Sequence, residues 1–172
     1  LHLAATFEAL GDLDFALMLL EERMTAAAGA RSDRRLLLHR VALLNELGRP
    51  DRVLGLVTKE ALEDVRVGAA FRAELLRTES ALGCPTTVLE LATTVRRGGF
   101  VAPWLDPAVA RAHEELGDPE SALACYRNAE LLDWLDPSHT FAQARCLAAL
   151  GREDEARQQD DKARRKERLL MG

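Results

Sequence analysis

Apolar residues return along the chain at helical spacing, and glycine interrupts them at regular intervals. Leu3, Ala4, Phe7 and Leu10 share one helix face up to Gly11, and Phe15, Ala16, Leu19, Leu20 and Met24 resume the pattern beyond it. A helical hairpin is predicted, ending by Gly29, with Ser32 and Asp33 placed to cap the next helix. Leu37, Val41, Leu44 and Leu47 then lead to Gly48. Pro50 suits the first turn of a following helix that Val53, Leu54, Val57 and Leu62 would bury. In a third pair, Phe71, Leu75, Leu76 and Leu82 precede Gly83, and Val88, Leu89, Leu91 and Val95 follow it until Gly98-Gly99 stops the helix. The apolar connection from Phe100 to Leu105 is predicted to fold back onto the helices. Asp106-Pro107 and Asp136-Pro137 each pair a capping side chain with a proline and are read as helix starts. Val109, Ala110, His113 and Leu116 lead to Gly117, and Ala122, Leu123, Tyr126, Ala129 and Leu132 follow. Phe141, Ala144, Leu147 and Leu150 lead to Gly151, after which the partner helix turns polar.

These hairpins are copies of one unit. Leu-Gly occurs at Leu10-Gly11, Leu47-Gly48, Leu82-Gly83, Leu116-Gly117 and Leu150-Gly151, with the glycines 37, 35, 34 and 34 residues apart. A small or β-branched residue stands five places after each glycine: Ala16, Val53, Val88, Ala122 and Ala156. A fixed period of this length marks a solenoid. The place nine after the glycine holds Leu20, Val57, Ala92 and Tyr126, then Asp160, so the last helix reads as a polar cap over the end of the stack. The first helix, only ten residues before Gly11, is shorter than its counterparts, from which we expect upstream sequence to complete it.

The units resemble tetratricopeptide repeats, whose period is 34 residues and whose two antiparallel helices meet at a Leu-Gly-Asp corner followed by alanine. Ala4, Ala110 and Ala144, seven before the glycine, and Ala16, Ala122 and Ala156, five after it, carry the likeness best. Val41, Leu76, Val53 and Val88 depart from it in the second and third units, and Phe7 and Tyr126 stand for the family aromatics. The resemblance implies an all-α, right-handed α-solenoid of about five hairpins, forming one repeat domain with units near 1–29, 33–64, 67–98, 103–134 and 136–169. The corner glycine is expected to let the two helices approach closely. The pentatricopeptide family has a similar period and binds RNA, but the Leu-Gly-Asp corner and the acidity of the chain point away from it.

Composition supports the helical reading. Nearly half of the 172 residues are apolar, aromatics amount to 5%, and the formal net charge of −5 disfavours general attraction to nucleic acid or anionic membrane. No apolar run reaches the ~20 residues of a membrane span. Three cysteines without Cys-x-x-Cys spacing fit a reducing, cytoplasmic setting. No phosphate loop, His-Glu-x-x-His or Gly-x-Ser-x-Gly occurs, so no enzyme activity, cofactor, metal or small-molecule substrate is expected. His2, His39, His113 and His139 are scattered, and His113 reads as a packed or half-exposed side chain. Cys125 and Cys146 read as small core residues, Trp134 as packing and Trp104 as packing or recognition. The cations from Lys162 to Arg168 follow Glu153-Asp154-Glu155, the order a helix dipole favours, so they read as a solvated cap; Leu169, Leu170 and Met171 would pack back or meet further sequence.

One polar feature keeps the period. Arg77, Arg111 and Arg145 stand six before the glycines of units three, four and five, where units one and two have Ala5 and Ala42. In the resembled family the first helix of each unit lines a concave groove. The likeness therefore implies an arginine ladder that binds a carboxylate-bearing peptide, flanked by Arg35, Leu38, Asn45, Ser80, Trp104, Glu114 and Phe141. The competing reading pairs Arg77 with Glu74 and Arg111 with Glu114 or Glu115 along their own helices. The chain is expected to be a non-enzymatic module binding a protein or peptide, or alternatively a regulatory or sensory domain of a larger enzyme or transcription regulator. Homo-oligomerisation through the N-terminal edge is a third expectation.

Overall fold

The computed structural model describes residues 11–26, 34–64 and 67–171. Expectations placed on Leu3, Ala4, Phe7, Leu10, Gly29, Ser32, Asp33 and His2 lie outside them. The described residues hold ten helices: α1 (Leu13–Ala26), α2 (Arg34–Glu46), α3 (Pro50–Leu54), α4 (Lys59–Glu63), α5 (Gly68–Ala81), α6 (Pro85–Arg97), α7 (Leu105–Glu115), α8 (Pro119–Leu132), α9 (Pro137–Ala149) and α10 (Glu153–Met171). No strand occurs among them. They fall into two compact units, one of the residues up to Leu82 with Thr94–Phe100, the other of Gly83–Thr93 with Val101 onward.

The corners explain the period. At Gly117 the backbone takes φ +75°, its amide donates to the Glu114 carbonyl at 3.0 Å, and the Asp118 amide donates to the His113 carbonyl at 2.9 Å. This is a left-handed helix stop that satisfies two of the orphan carbonyls at the end of α7. All five repeat glycines have positive φ, and a Cβ added to any of them would meet nothing within 4 Å. Close helix approach is therefore not what the glycine provides, contrary to expectation; the left-handed turn is. Asp118 then caps α8 by accepting from the Ser121 amide at 3.1 Å, and the Ser121 side chain, then its amide, hold the carboxyl below the usual range. Asp136 caps α9 through the Ser138 amide at 2.8 Å. Asp106 falls inside the first turn of α7, whose N-cap is Trp104, so that helix starts earlier than Asp106-Pro107 predicts.

In the first unit, Leu20, Val41, Leu43, Leu44, Val53 and Phe71 are fully buried and Leu37, Leu38, Leu47 and Leu62 pack around them. The second helix of the second hairpin is broken, not continuous. It stops after Leu54, and Thr58 restarts it by accepting from the Ala61 amide at 3.3 Å. Gly55 has the poor helix propensity that permits the break, and Leu54 turns outward, 47% exposed, where burial was expected. Arg34 bridges to Asp64, joining the start of α2 to the residue after α4.

In the second unit the core is built from small residues. Ala110, Ala122, Ala129, Ala142, Ala144 and Ala163 are buried beside Val109, Leu123, Tyr126 and Leu147. α7 packs on α8, α8 on α9 and α9 on α10. In the connection before α7, Ala102 and Leu105 are buried but Val101 is exposed. Leu116, Leu132 and Trp134, expected inside, lie at the surface, and Leu169, Leu170 and Met171 at the end of α10 do not pack back. Phe15 and Leu82 in the first unit are likewise exposed. All of these except Phe15 sit at or near a helix end, where the next element no longer covers them.

Candidate functional site

The first helices of successive hairpins touch through the same places of the repeat. Asn45, three before Gly48, bridges α2 to α5: its amide nitrogen donates to the Glu74 carbonyl and to Glu74 Oε2, each at 2.9 Å, and its oxygen accepts from Thr78 Oγ1 at 2.8 Å. Glu114, three before Gly117, bridges α7 to α9: Arg145 Nη2 lies 3.3 Å from both carboxylate oxygens and Cys146 Sγ donates to Oε1 at 3.8 Å. Thr78 and Cys146 both stand five before their glycine. A residue three before one corner thus meets the residue five before the next, once in each unit; Asn45 also meets Glu74, nine before Gly83, and Glu114 also meets Arg145, six before Gly151. Tyr126 of α8 adds a 2.6 Å bond from its hydroxyl to Glu114 Oε2.

Burial, then the neighbouring Glu114 charge, pushes the Cys146 thiol up to about 11. The Tyr126 hydroxyl is pushed up as well, first by burial and then by its bond to Glu114. Burial also raises Glu74, against the opposing bond from Asn45.

The predicted groove residues divide between the two units. In the first, Arg77 pairs with Glu46 of the preceding hairpin at 3.7 Å and is half-buried. Leu38 packs against the core, Asn45 serves the α2–α5 bridge, Arg35 is exposed and Ser80 is half-buried near the end of α5. In the second, Arg111 is exposed, Trp104 is half-buried at the head of α7, and Arg145 exposes 62% of its side chain while bonded to Glu114. The ion pairs of Arg77 and Arg145 reach back across a hairpin boundary, a third arrangement beside free ladder and own-helix pairing. Phe141 and Arg145 come together at an open cleft of about 710 Å³ between α9 and α10, floored by Ala144, Ala148 and Ala156.

A polar cluster that the pattern did not single out anchors the last helix. Glu130 of α8 accepts from Lys166 Nζ at 2.5 Å, Lys162 Nζ at 2.8 Å, Gln143 Nε2 at 2.9 Å and Thr140 Oγ1 at 3.0 Å. Burial works to raise this carboxyl, but the four bonds outweigh it and hold it down at about 2. Lys166, Thr140 and Gln143 are all buried. The legible signal was spacing: Ala156, Ala163 and Lys166 share one face of a helix otherwise read as solvated. His113 sits half-buried, 3.4 Å from Asp118. Among the described residues, no group of three or more His, Cys, Asp or Glu is placed to hold a metal, and no helix is long and apolar enough to cross a membrane.

Neither a protein-family model nor a curated protein matches the sequence. Solved structures do. MamA AMB-1 aligns with a TM-score of 0.76 at 21% identity over 96% of this chain and 95% of its own. MamA MSR-1 aligns with a TM-score of 0.74 at 19% identity over 97% and 94%. A putative kinesin light chain from Podospora anserina, built of nearly identical TPR-like repeats, aligns at 0.68 and 16% identity over 98% and 93%. The fold is tetratricopeptide-like. In tetratricopeptide terms, Asn45 and Glu114 occupy one repeat position on the first helices, and Arg77, Arg111 and Arg145 another.

Proposed function

We propose that this chain is a non-enzymatic protein-interaction module that holds segments of partner proteins on the first helices of its tetratricopeptide-like hairpins. Arg77 in the first unit and Arg111 and Arg145 in the second are the groups that recognise partner carboxylates. The observation that carries the reading is the repeated bridge from Asn45 to Thr78 and from Glu114 to Arg145 and Cys146. It sets neighbouring first helices side by side in constant register, so residues of like position within a unit share one surface. Arg145 keeps most of its side chain in solvent while bonded to Glu114, and a guanidinium has five donors, more than that contact uses. Exposed pairs of this kind are weak and exchange readily for a ligand carboxylate. The cytoplasm suits such a module, since none of the three cysteines is in a disulfide.

The test is affinity capture of partners by the wild-type chain beside R77A/R111A/R145A. Loss of one charge-assisted hydrogen bond worth about 1.5–3 kcal/mol lowers affinity by about tenfold or more, so the triple variant should retain little of the captured material. Circular dichroism should show unchanged helix content. An identical capture profile would remove the arginines from recognition.

A further inference from the structure

The last helix is attached differently from the second helices of the other hairpins. Six, eight and nine places after the glycine, those helices carry Leu17, Leu19 and Leu20, then Leu54, Leu56 and Val57, then Leu89, Leu91 and Ala92, then Leu123, Cys125 and Tyr126. In α10 the same places hold Arg157, Gln159 and Asp160. Of its 19 residues, Ala156, Ala163 and Lys166 are the buried ones, so docking removes little apolar area from water. Gln159 Oε1 is also buried without a hydrogen-bond partner among the described residues, a cost that release of the helix would relieve.

What holds α10 is the Glu130 cluster. Lys166 Nζ donates to Glu130 Oε1 at 2.5 Å and to Thr140 Oγ1 at 2.9 Å, and Lys162 Nζ lies 2.8 Å from the same carboxylate oxygen. Ions that part regain water, so such contacts contribute less net than their short distances suggest. The receiving side does not depend on α10: Gln143 and Thr140 of α9 donate to Glu130 of α8 at 2.9 and 3.0 Å. The departing side is self-sufficient as well. α10 begins with Glu153, Asp154 and Glu155, carries Arg168 in its last turn, and pairs Arg164 with Asp160 one turn back at 2.7 Å, all of which support the helix on its own.

We propose that α10 is a releasable helix: it parts from α8 and α9 in one piece when the ammonium contacts to Glu130 break, while α7 to α9 stay folded. Its joint is the Gly151 corner. Lys162, whose side chain is half in solvent, is the contact through which the closed state is tuned. Phe141 and Arg145 share their cleft with Ala156, Arg157, Asp160 and Asp161 of α10. Release therefore takes away one wall beside two of the groove residues. The inference stands apart from recognition by the three arginines, because opening is measured with no partner present.

Native-state hydrogen exchange of the full chain, read amide by amide by NMR at low denaturant concentrations, tests this. Amides of residues 157–166 should share one opening free energy, with protection about tenfold or more below that of residues 122–129 in α8 and 140–147 in α9. K162E sets a carboxylate against Glu130 from a half-exposed position, and should lower protection in α10 by about tenfold. Q159L removes the unpaired oxygen and restores the apolar type found at this place in the other units, and should raise protection there by about tenfold. In both variants α7, α8 and α9 should keep wild-type protection. A steady fall in protection toward Met171, with no shared value, is end fraying and overturns the proposal. So does an α10 that opens only together with α8 and α9, or a variant effect spread equally over all four helices. The wild-type comparison decides the matter even where a variant folds poorly.

Discussion

At the scale of single residues, the strongest constraint is Glu130. Its carboxylate receives two ammonium groups, one amide and one hydroxyl, and Lys166 is buried against it. E130A would leave a buried ammonium without its counter-charge, which costs about 3–5 kcal/mol, and chemical denaturation should show a loss of that order. Because the folded carboxyl is held at about 2, below its ordinary value of 4.5, its contribution is complete above that ordinary value and fades as pH falls toward 2. Glu74, raised by burial, acts in the opposite sense, favouring the fold in acid and losing that contribution as pH rises through its raised value. Cys146 supplies a second check. With its thiol buried and pushed up to about 11, it should react with iodoacetamide far more slowly at neutral pH than half-buried Cys84, and peptide mapping by mass spectrometry would read the order of labelling.

Elements were legible where local chemistry decides them. The Leu-Gly corners, the Asp136 cap and most of the apolar faces of α5 to α9 follow from spacing and side-chain type alone. The interrupted helix between Pro50 and Glu63 was not legible. Val53, Leu54, Val57 and Leu62 keep a continuous pattern, and the break depends on whether packing over Gly55 outweighs its backbone freedom. Gly68 is a case that pattern misses altogether. A Cβ there would come 2.4 Å from the Leu62 carbonyl oxygen, so G68A must displace backbone. G117A meets no atom and carries only the cost of a left-handed L-residue, about 1–2 kcal/mol. Thermal unfolding should therefore place G68A below G117A, and the reverse order would show that the Leu62 carbonyl yields easily.

Across the whole molecule, periodicity conveyed the helical repeat architecture but not how its charges are used. Arginine recurs six before the corners of units three, four and five, yet Arg77 and Arg145 are also joined to Glu46 and Glu114 of their preceding hairpins. Those partners are invisible to a search along one helix because they lie 31 residues away. Trp134 was misjudged for a related reason: an aromatic in an inter-hairpin segment packs only if an element covers it, and at 68% exposure it is uncovered. The corners carry one more implication. Five solvent-exposed turns select for handedness and leave size free. A mirror-image alanine, whose backbone prefers positive φ, would suit each of them better than glycine does, and would leave the unfolded chain less freedom to lose.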